Sequence, residues 1–125
     1  MTARSWTLED HGARPLTTNR VARLHRHQWA NHTRQVRETW AWLALQARVP
    51  RLTAAVITAT PLHANRRSPQ DVAACAPEVK AAVDGLVDAG VLDDDDPEHL
   101  LELAFRPPDI CGSDGLRLRI LEEER

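Results

Sequence analysis

Two helical patterns stand out among the apolar positions of the chain. In residues 28–48 the apolar side chains recur every three to four positions, which predicts an amphipathic helix that Pro50 terminates. A second helix is predicted from Pro77, which favours a first helical turn, to Gly90, which favours the position just beyond a helix. Each helix therefore carries an apolar face that must pack against another element.

Short runs around these helices predict four strands. Residues 5–8, 99–105 and 116–121 alternate apolar and polar side chains, whereas residues 52–60 are rich in β-branched residues, as in a central strand. The closing segment 121–125 is expected to be frayed. The side chains expected to face inward in the last two strands are Leu101, Leu103 and Phe105, then Leu116, Leu118 and Ile120.

These elements predict a single α+β domain over residues 1–125, layered as in α/β folds, with a small mixed sheet of about four strands and two main helices. A chain of 125 residues suits one domain with one core. It lacks an apolar run of membrane-spanning length and the apolar segment of a secretory signal, so we expect no membrane partner and a cytoplasmic location. Cys75 and Cys111 are expected to be free thiols.

The first predicted helix is apolar on two sides, which indicates two packing partners, for example its own sheet and another subunit. We expect Trp29 and Trp40 to pack in the core rather than stack on bases, and Trp42 to lie at an interface. One apolar stripe consists of Trp29, Val36, Trp40, Leu43 and Ala47, and the other consists of Trp42, Leu45 and Val49.

Charge is divided unevenly along the chain, although the net charge is only −2. Residues 11–70 contain ten arginines and one acid, whereas residues 71–104 contain ten acids and one base, Lys80, which is the only lysine of the protein. A basic half attracts phosphates, and an acidic cluster can hold cations. The alternative is that the two halves neutralise each other across the fold.

Carboxylates around the second predicted helix are candidates for a Mg²⁺ site, because hard cations prefer oxygen ligands. Lys80 is the candidate for contacting a phosphate in the transition state. The alternatives are a solvated capping turn for the acidic run, and a simple helical ion pair between Lys80 and Asp84. The candidate metal ligands are Asp71, Asp84, Asp94 and Asp95.

Arginines of the basic half are candidates for binding a DNA backbone without reading its sequence. The alternative is an ordinary arginine-rich surface. His25, His27 and His32 have a spacing that zinc could use, but no cysteine or acid lies nearby, so we regard zinc as a minor alternative. The candidate DNA-binding residues are Arg20, Arg23, Arg26, Arg34, Arg37, Arg66 and Arg67.

Several motifs together resemble the RusA-type Holliday junction resolvases, which are small homodimeric nucleases common in phages and prophages. The most specific motif is VKAAVDGLVDAGVLDDDDPEH, and PLTTNR and the double arginine before Asp71 add to it. The resemblance covers nearly the whole chain and implies nicking of four-way DNA junctions with Mg²⁺, or with Mn²⁺ in its place. It implies catalytic roles for Asp71, Lys80 and Asp95, metal ligands drawn from those aspartates with Asp84 and Asp94, and a homodimer that binds branched DNA.

One motif departs from the family pattern. RusA-type resolvases usually carry Asp-x-Asp-Asn after the basic residues, whereas this chain has Asp71 followed by Val72, Ala73 and Ala74. Ala73 then stands where a second carboxylate is expected. The alternative function is therefore a catalytically impaired, RusA-like DNA-binding protein of phage or prophage origin. A third alternative is a protein-interaction module that uses the Trp42 face.

Overall fold

The computed structural model describes residues 3–124, which form three helices and one mixed sheet of five strands. The predicted α+β class and its two main helices are thereby confirmed. A one-turn helix and a two-residue strand were not predicted. The strands are β1 (Ser5–His11), β2 (Ala54–His63), β3 (Leu100–Phe105), β4 (Asp109–Ile110) and β5 (Gly115–Glu123). The helices are α1 (Thr18–Val21), α2 (Arg26–Gln46) and α3 (Ala76–Asp88).

The sheet combines antiparallel and parallel pairs in the order β1-β5-β2-β3. Strand β5 is antiparallel to both β1 and β2, and β3 and β4 run parallel to β2. A parallel pair requires a crossover connection, and α3 supplies it between β2 and β3. This crossover places the acidic turn that follows α3 at the entrance to β3.

Helices α2 and α3 pack against each other and share one core with the sheet. The helices approach closely at Gly85, where an added Cβ would lie 2.5 Å from the backbone oxygen of Arg37. The inward face predicted for β5 is confirmed, and α3 packs an apolar face into the core as its pattern requires. Residues buried in this core include Trp40 of α2, Val79, Val83 and Leu86 of α3, Ile57 of β2, and Leu116, Leu118 and Ile120 of β5.

The apolar stripes predicted for the first helix are partly wrong. Ala47 is exposed, and Trp29 is half-buried outside the core cluster. Val49, assigned to the outer stripe, packs against the core instead, because α2 ends at Gln46 and the chain reverses through Arg48 (φ 55°). Trp42 and Leu45 of the outer stripe are exposed, at 58% and 64%.

Two predictions for the strands are also wrong. A β-bulge between Ala55 and Val56 shifts the pairing with β3, so Leu100 replaces Leu101 on the core face and Leu101 is exposed. The segment expected to be frayed is strand through Glu123, which pairs with Ala54 of β2, because the last strand extends beyond its apolar alternation. Arg125 lies outside the described residues.

None of the helices between residues 3 and 124 has both the length and the hydropathy that crossing a membrane requires.

Candidate functional site

Lys80 lies in the second turn of α3, and its side chain is placed between two carboxylates. Its Nζ donates a hydrogen bond to Asp84 Oδ1 at 3.0 Å, one helical turn along α3, and another to Asp95 Oδ2 in the acidic turn beyond the helix. The helical spacing of four residues explains the first contact. The second contact depends on the turn at Gly90, which brings residues 93–96 back alongside the helix.

The ion pairs shift the pKa values of the groups involved. The hydrogen bond from Lys80 lowers the pKa of Asp95 below its usual value, and the same bond raises the pKa of Lys80. Both shifts keep the pair charged at neutral pH. The lysine side chain is more than half exposed, so solvent screens the pair and its contribution to stability is small.

The four aspartates of the run 93–96 differ in their main contacts, although His99 also lies 3.9 Å from Asp93. Asp93 binds Arg51 at 2.8 Å, Asp94 Oδ1 accepts the backbone N–H of Asp95, and Asp95 binds Lys80. Asp96 Oδ1 lies 2.6 Å from Nδ1 of His99 and accepts the backbone N–H groups of residues 98 and 99. The run is therefore a folded turn whose carboxylates differ in their contacts, and Asp95 is the member that joins Lys80.

Asp71 makes no ion pair within residues 3–124 and belongs to a different part of the surface. It lines an open cavity of about 380 Å³ together with Thr17, Asn19 and Ser68. The chain turns sharply just after it, since Ala73 has a left-handed φ of 67° and Ala74 N–H binds the Asp71 carbonyl. Of the three predicted catalytic residues, the structure brings together Lys80 and Asp95.

The predicted metal ligands suit Mg²⁺ or Mn²⁺ in kind, because carboxylate oxygens are the donors that hard cations prefer. In this structure the Nζ of Lys80, rather than a cation, lies between the carboxylates of Asp84 and Asp95. Within residues 3–124, no group of three or more His, Cys, Asp or Glu side chains is placed to hold a metal. The positive charge between Asp84 and Asp95 is the ammonium group of Lys80, and Asp94 accepts a hydrogen bond from the backbone N–H of Asp95. The cluster is therefore compensated by its own lysine.

Most of the predicted DNA-binding arginines are exposed and free of ion pairs within the described part of the chain. The exception is Arg37, whose guanidinium donates two hydrogen bonds to Asp88, at 3.0 and 2.8 Å. Arg34 donates to Asn31 Oδ1 at 2.7 Å and keeps its charge uncompensated. The other exposed arginines of the predicted set are Arg20, Arg23, Arg26, Arg66 and Arg67.

Cross-neutralisation between the two halves of the chain is limited. Of the ten arginines in residues 11–70, Arg37 and Arg51 pair with acids of residues 71–104, and Arg14 pairs with Asp114 further on. The remaining seven form no ion pair within residues 3–124. Their charge is available to an anionic partner.

Arg14 and Glu78 organise the site and were not predicted. Arg14 donates hydrogen bonds to the carboxylate of Asp114 and to the backbone carbonyls of Asn65, Arg67 and Ser68. These bonds hold the loop before Asp71. Glu78 is buried at the first turn of α3, where its Oε1 accepts the backbone N–H of Leu16 and lies 2.5 Å from His32 Nε2. An acid within the apolar start of α3 was the only sequence signal for Glu78.

Comparison with known proteins adds no family assignment, since no family model matches the chain and no curated protein is significantly similar to it. The likeness to RusA-type resolvases therefore stays a prediction that rests on the motifs themselves.

Proposed function

We propose that this protein is a structure-selective DNA endonuclease that hydrolyses phosphodiesters at four-way junctions, as RusA-type resolvases do. The observation that supports the proposal is the position of Lys80 between Asp84 and Asp95. A lysine and two carboxylates are groups that phosphodiester chemistry uses, and the RusA resemblance requires Lys80 and Asp95 at one site. The proposal includes a cytoplasmic homodimer and a requirement for Mg²⁺ or Mn²⁺.

Lys80 would stabilise the charge that develops on the phosphate in the transition state. To do so its ammonium group must turn from a carboxylate toward the substrate. The lysine is exposed enough to make this exchange, because more than half of its side chain is accessible to solvent. The exposed arginines within and after α1 would hold the DNA backbone without reading its sequence.

A second candidate function is junction binding without cleavage. It is favoured by Ala73, which stands where the RusA pattern places a second carboxylate, and by the lysine that already neutralises Asp84 and Asp95. In this case the arginine surface would be retained and the hydrolytic centre would be inactive.

Nicking of a synthetic four-way junction in Mg²⁺ or Mn²⁺ tests the first proposal against the second. The wild type is expected to nick the junction, and Lys80→Ala and Asp95→Asn are expected to slow nicking by about 100-fold or more, the usual cost of losing one group that stabilises a transition state. Asp93→Asn is the matched control, because Asp93 belongs to the same run but binds Arg51. Its rate should stay within about twofold of the wild type, since Asp93 contacts Arg51 and, at 3.9 Å, His99, and neither contact involves Lys80.

The outcomes separate the candidates. Junction binding without nicking in either ion would support the second candidate, a protein that binds junctions but does not cleave them. Equal losses in Asp93→Asn and Asp95→Asn would contradict a specific role for the Lys80 cluster. No salt-sensitive DNA binding at all would remove both proposals and leave a protein-interaction module that uses the Trp42 face.

A further inference from the structure

An open pocket of about 540 Å³ lies along the first half of α2, outside the Lys80 cluster. Its lining includes Trp29, Ala30 and Thr33 together with the charged side chains of Arg34 and Glu38. The volume is within the range of pockets that bind small organic groups. A lining with an aromatic ring and charged side chains suits a planar, polar-edged ligand.

The indole of Trp29 is held in a fixed position at this pocket. It stacks on the ring of His32, with 5.8 Å between ring centroids and 25° between planes. His32 is in turn fixed by the buried carboxylate of Glu78, at 2.5 Å. The indole that lines the pocket is therefore supported by a ring neighbour that is itself held by a buried carboxylate.

The polar groups of the pocket are incompletely used by the protein. Thr33 Oγ1 is buried and has no hydrogen-bond partner within residues 3–124. Arg34 and Glu38 form no ion pair within the same residues, so the lining presents one cation and one anion. A phosphate suits Arg34, and an exocyclic amino group suits the carboxylate of Glu38.

The pocket is close to the Lys80 cluster along α3. Asp88 lies at the edge of the pocket, where Arg37 binds it, and Asp84 is one helical turn earlier on α3. The pocket therefore reaches the end of the helix that carries Lys80, two helical turns from that lysine.

We propose that this pocket binds one unpaired nucleobase of a DNA strand, which stacks on Trp29 while its flanking phosphate contacts Arg34. The inference rests on the proposed function in one respect, which is that the ligand is a nucleic acid. Stacking on an indole is available to every base, and Glu38 adds a preference for bases with an amino group.

Binding of short single strands by fluorescence anisotropy tests the pocket without a junction. The probes are an oligodeoxyadenylate of about ten nucleotides and a strand of equal length made of abasic sites, which keeps the phosphates and removes the bases. The wild type is expected to bind the base-containing strand about tenfold more tightly than the abasic strand. Trp29→Ala should remove this difference and leave binding of the abasic strand unchanged.

Three further variants separate stacking from folding. Trp29→Phe keeps an aromatic ring and should restore most of the preference. Ala30→Leu fills the pocket at an exposed helical position and should abolish the preference without loss of packing. Trp42→Ala is the matched control, because Trp42 is an exposed tryptophan of the same helix away from the pocket, and it should bind both strands as the wild type does.

Equal binding of the two strands by the wild type, or a preference that survives both Trp29→Ala and Ala30→Leu, would overturn the proposal. Tighter binding of free deoxyadenosine monophosphate than of the strand would also overturn it, in favour of a mononucleotide site. The two proposals, junction cleavage and base binding in the pocket, can fail independently of each other. A Trp29-dependent preference without junction nicking would retain the pocket, whereas junction nicking without the preference would reject the pocket alone.

Discussion

The carboxylates of the acidic turn are distinguished by the residues that reach them. Asp93 is bound by Arg51 from the loop before β2, Asp95 by Lys80 from α3, and Asp96 by His99 from the turn itself. The first two contacts tie the turn to other elements, and the third closes the turn on itself. The turn is therefore held in one shape, and Asp95 is presented to Lys80.

The pair formed by His99 and Asp96 predicts a pH dependence of stability. The hydrogen bond that His99 donates to the carboxylate of Asp96 raises the pKa of His99 above its ordinary value of 6.5. A group with a raised folded-state pKa stabilises the fold fully below its unfolded-state pKa, and this contribution is lost as the pH rises through the folded-state value. Titration of His99 by NMR should give a pKa above 6.5.

His99→Gln tests the same pair by chemical denaturation. The variant should be less stable than the wild type near pH 5.5, and the difference should shrink toward about pH 8, because the neutral imidazole of the wild type has then lost its ion pair. The carboxylate of Asp96 keeps its two backbone contacts in the variant, so the turn is expected to stay folded. A difference that does not change with pH would contradict the assignment.

The individual partners within the acidic run could not be predicted, because four identical residues in succession carry no pattern that separates them. The pair between Lys80 and Asp84 was one of the alternatives, since both residues lie on one helix at a spacing of four. The contact with Asp95 depends on how the chain folds back after α3. Arg14 was missed because its partners are distant in sequence and are mostly backbone carbonyls.

The two long helices end in the same way, with different residues at the critical position. After α2, Arg48 adopts a left-handed φ of 55° and Val49 N–H binds the carbonyl of Ala44. After α3, Gly90 adopts a φ of 85° and Val91 N–H binds the carbonyl of Leu86. Both are Schellman motifs, and they return an apolar residue to the core.

Exchanging the residues at the left-handed positions should change stability in opposite directions. Arg48→Gly is expected to raise the free energy of unfolding by up to about 1 kcal/mol, because glycine adopts a positive φ without a Cβ penalty. Gly90→Ala is expected to lower it by about 1 kcal/mol, and by a conformational effect alone, since an added Cβ meets nothing within 4 Å. Urea denaturation of both variants measures the effect, and shifts of the same sign would contradict it.

Regular periodicity predicted the elements well, and departures from periodicity account for the errors. The faces of α3 and β5 follow from strict spacing. The bulge that exposes Leu101 and the left-handed turn that buries Val49 each break the repeat by one step. No glycine or proline marks the bulge, and Pro50 marks the end of the helix but not the left-handed residue, which is Arg48. Trp29 was assigned to the core by its spacing, although α2 begins before the core does.

At the scale of the whole molecule, charge is separated by position as well as by sequence. The segment with Thr17 and Asn19 and the loop of residues 68–71 line one cavity, so Arg20 and the Arg66–Arg67 loop lie on neighbouring surface. Helix α1 packs against α3, which carries Lys80. Uncompensated arginines therefore lie near the start of the helix that carries Lys80, where the proposed function would require contacts with the DNA backbone.

The central claim is tested most directly by the affinity of the wild type for a four-way junction and for a linear duplex of the same sequence, measured in EDTA so that binding is separated from cleavage. We predict binding of the junction that is about tenfold or more tighter than binding of the duplex, and affinity for both that falls steeply with salt, because several arginines release counterions from the phosphates. Equal affinity for the two DNAs, or binding that does not respond to salt, would contradict the account.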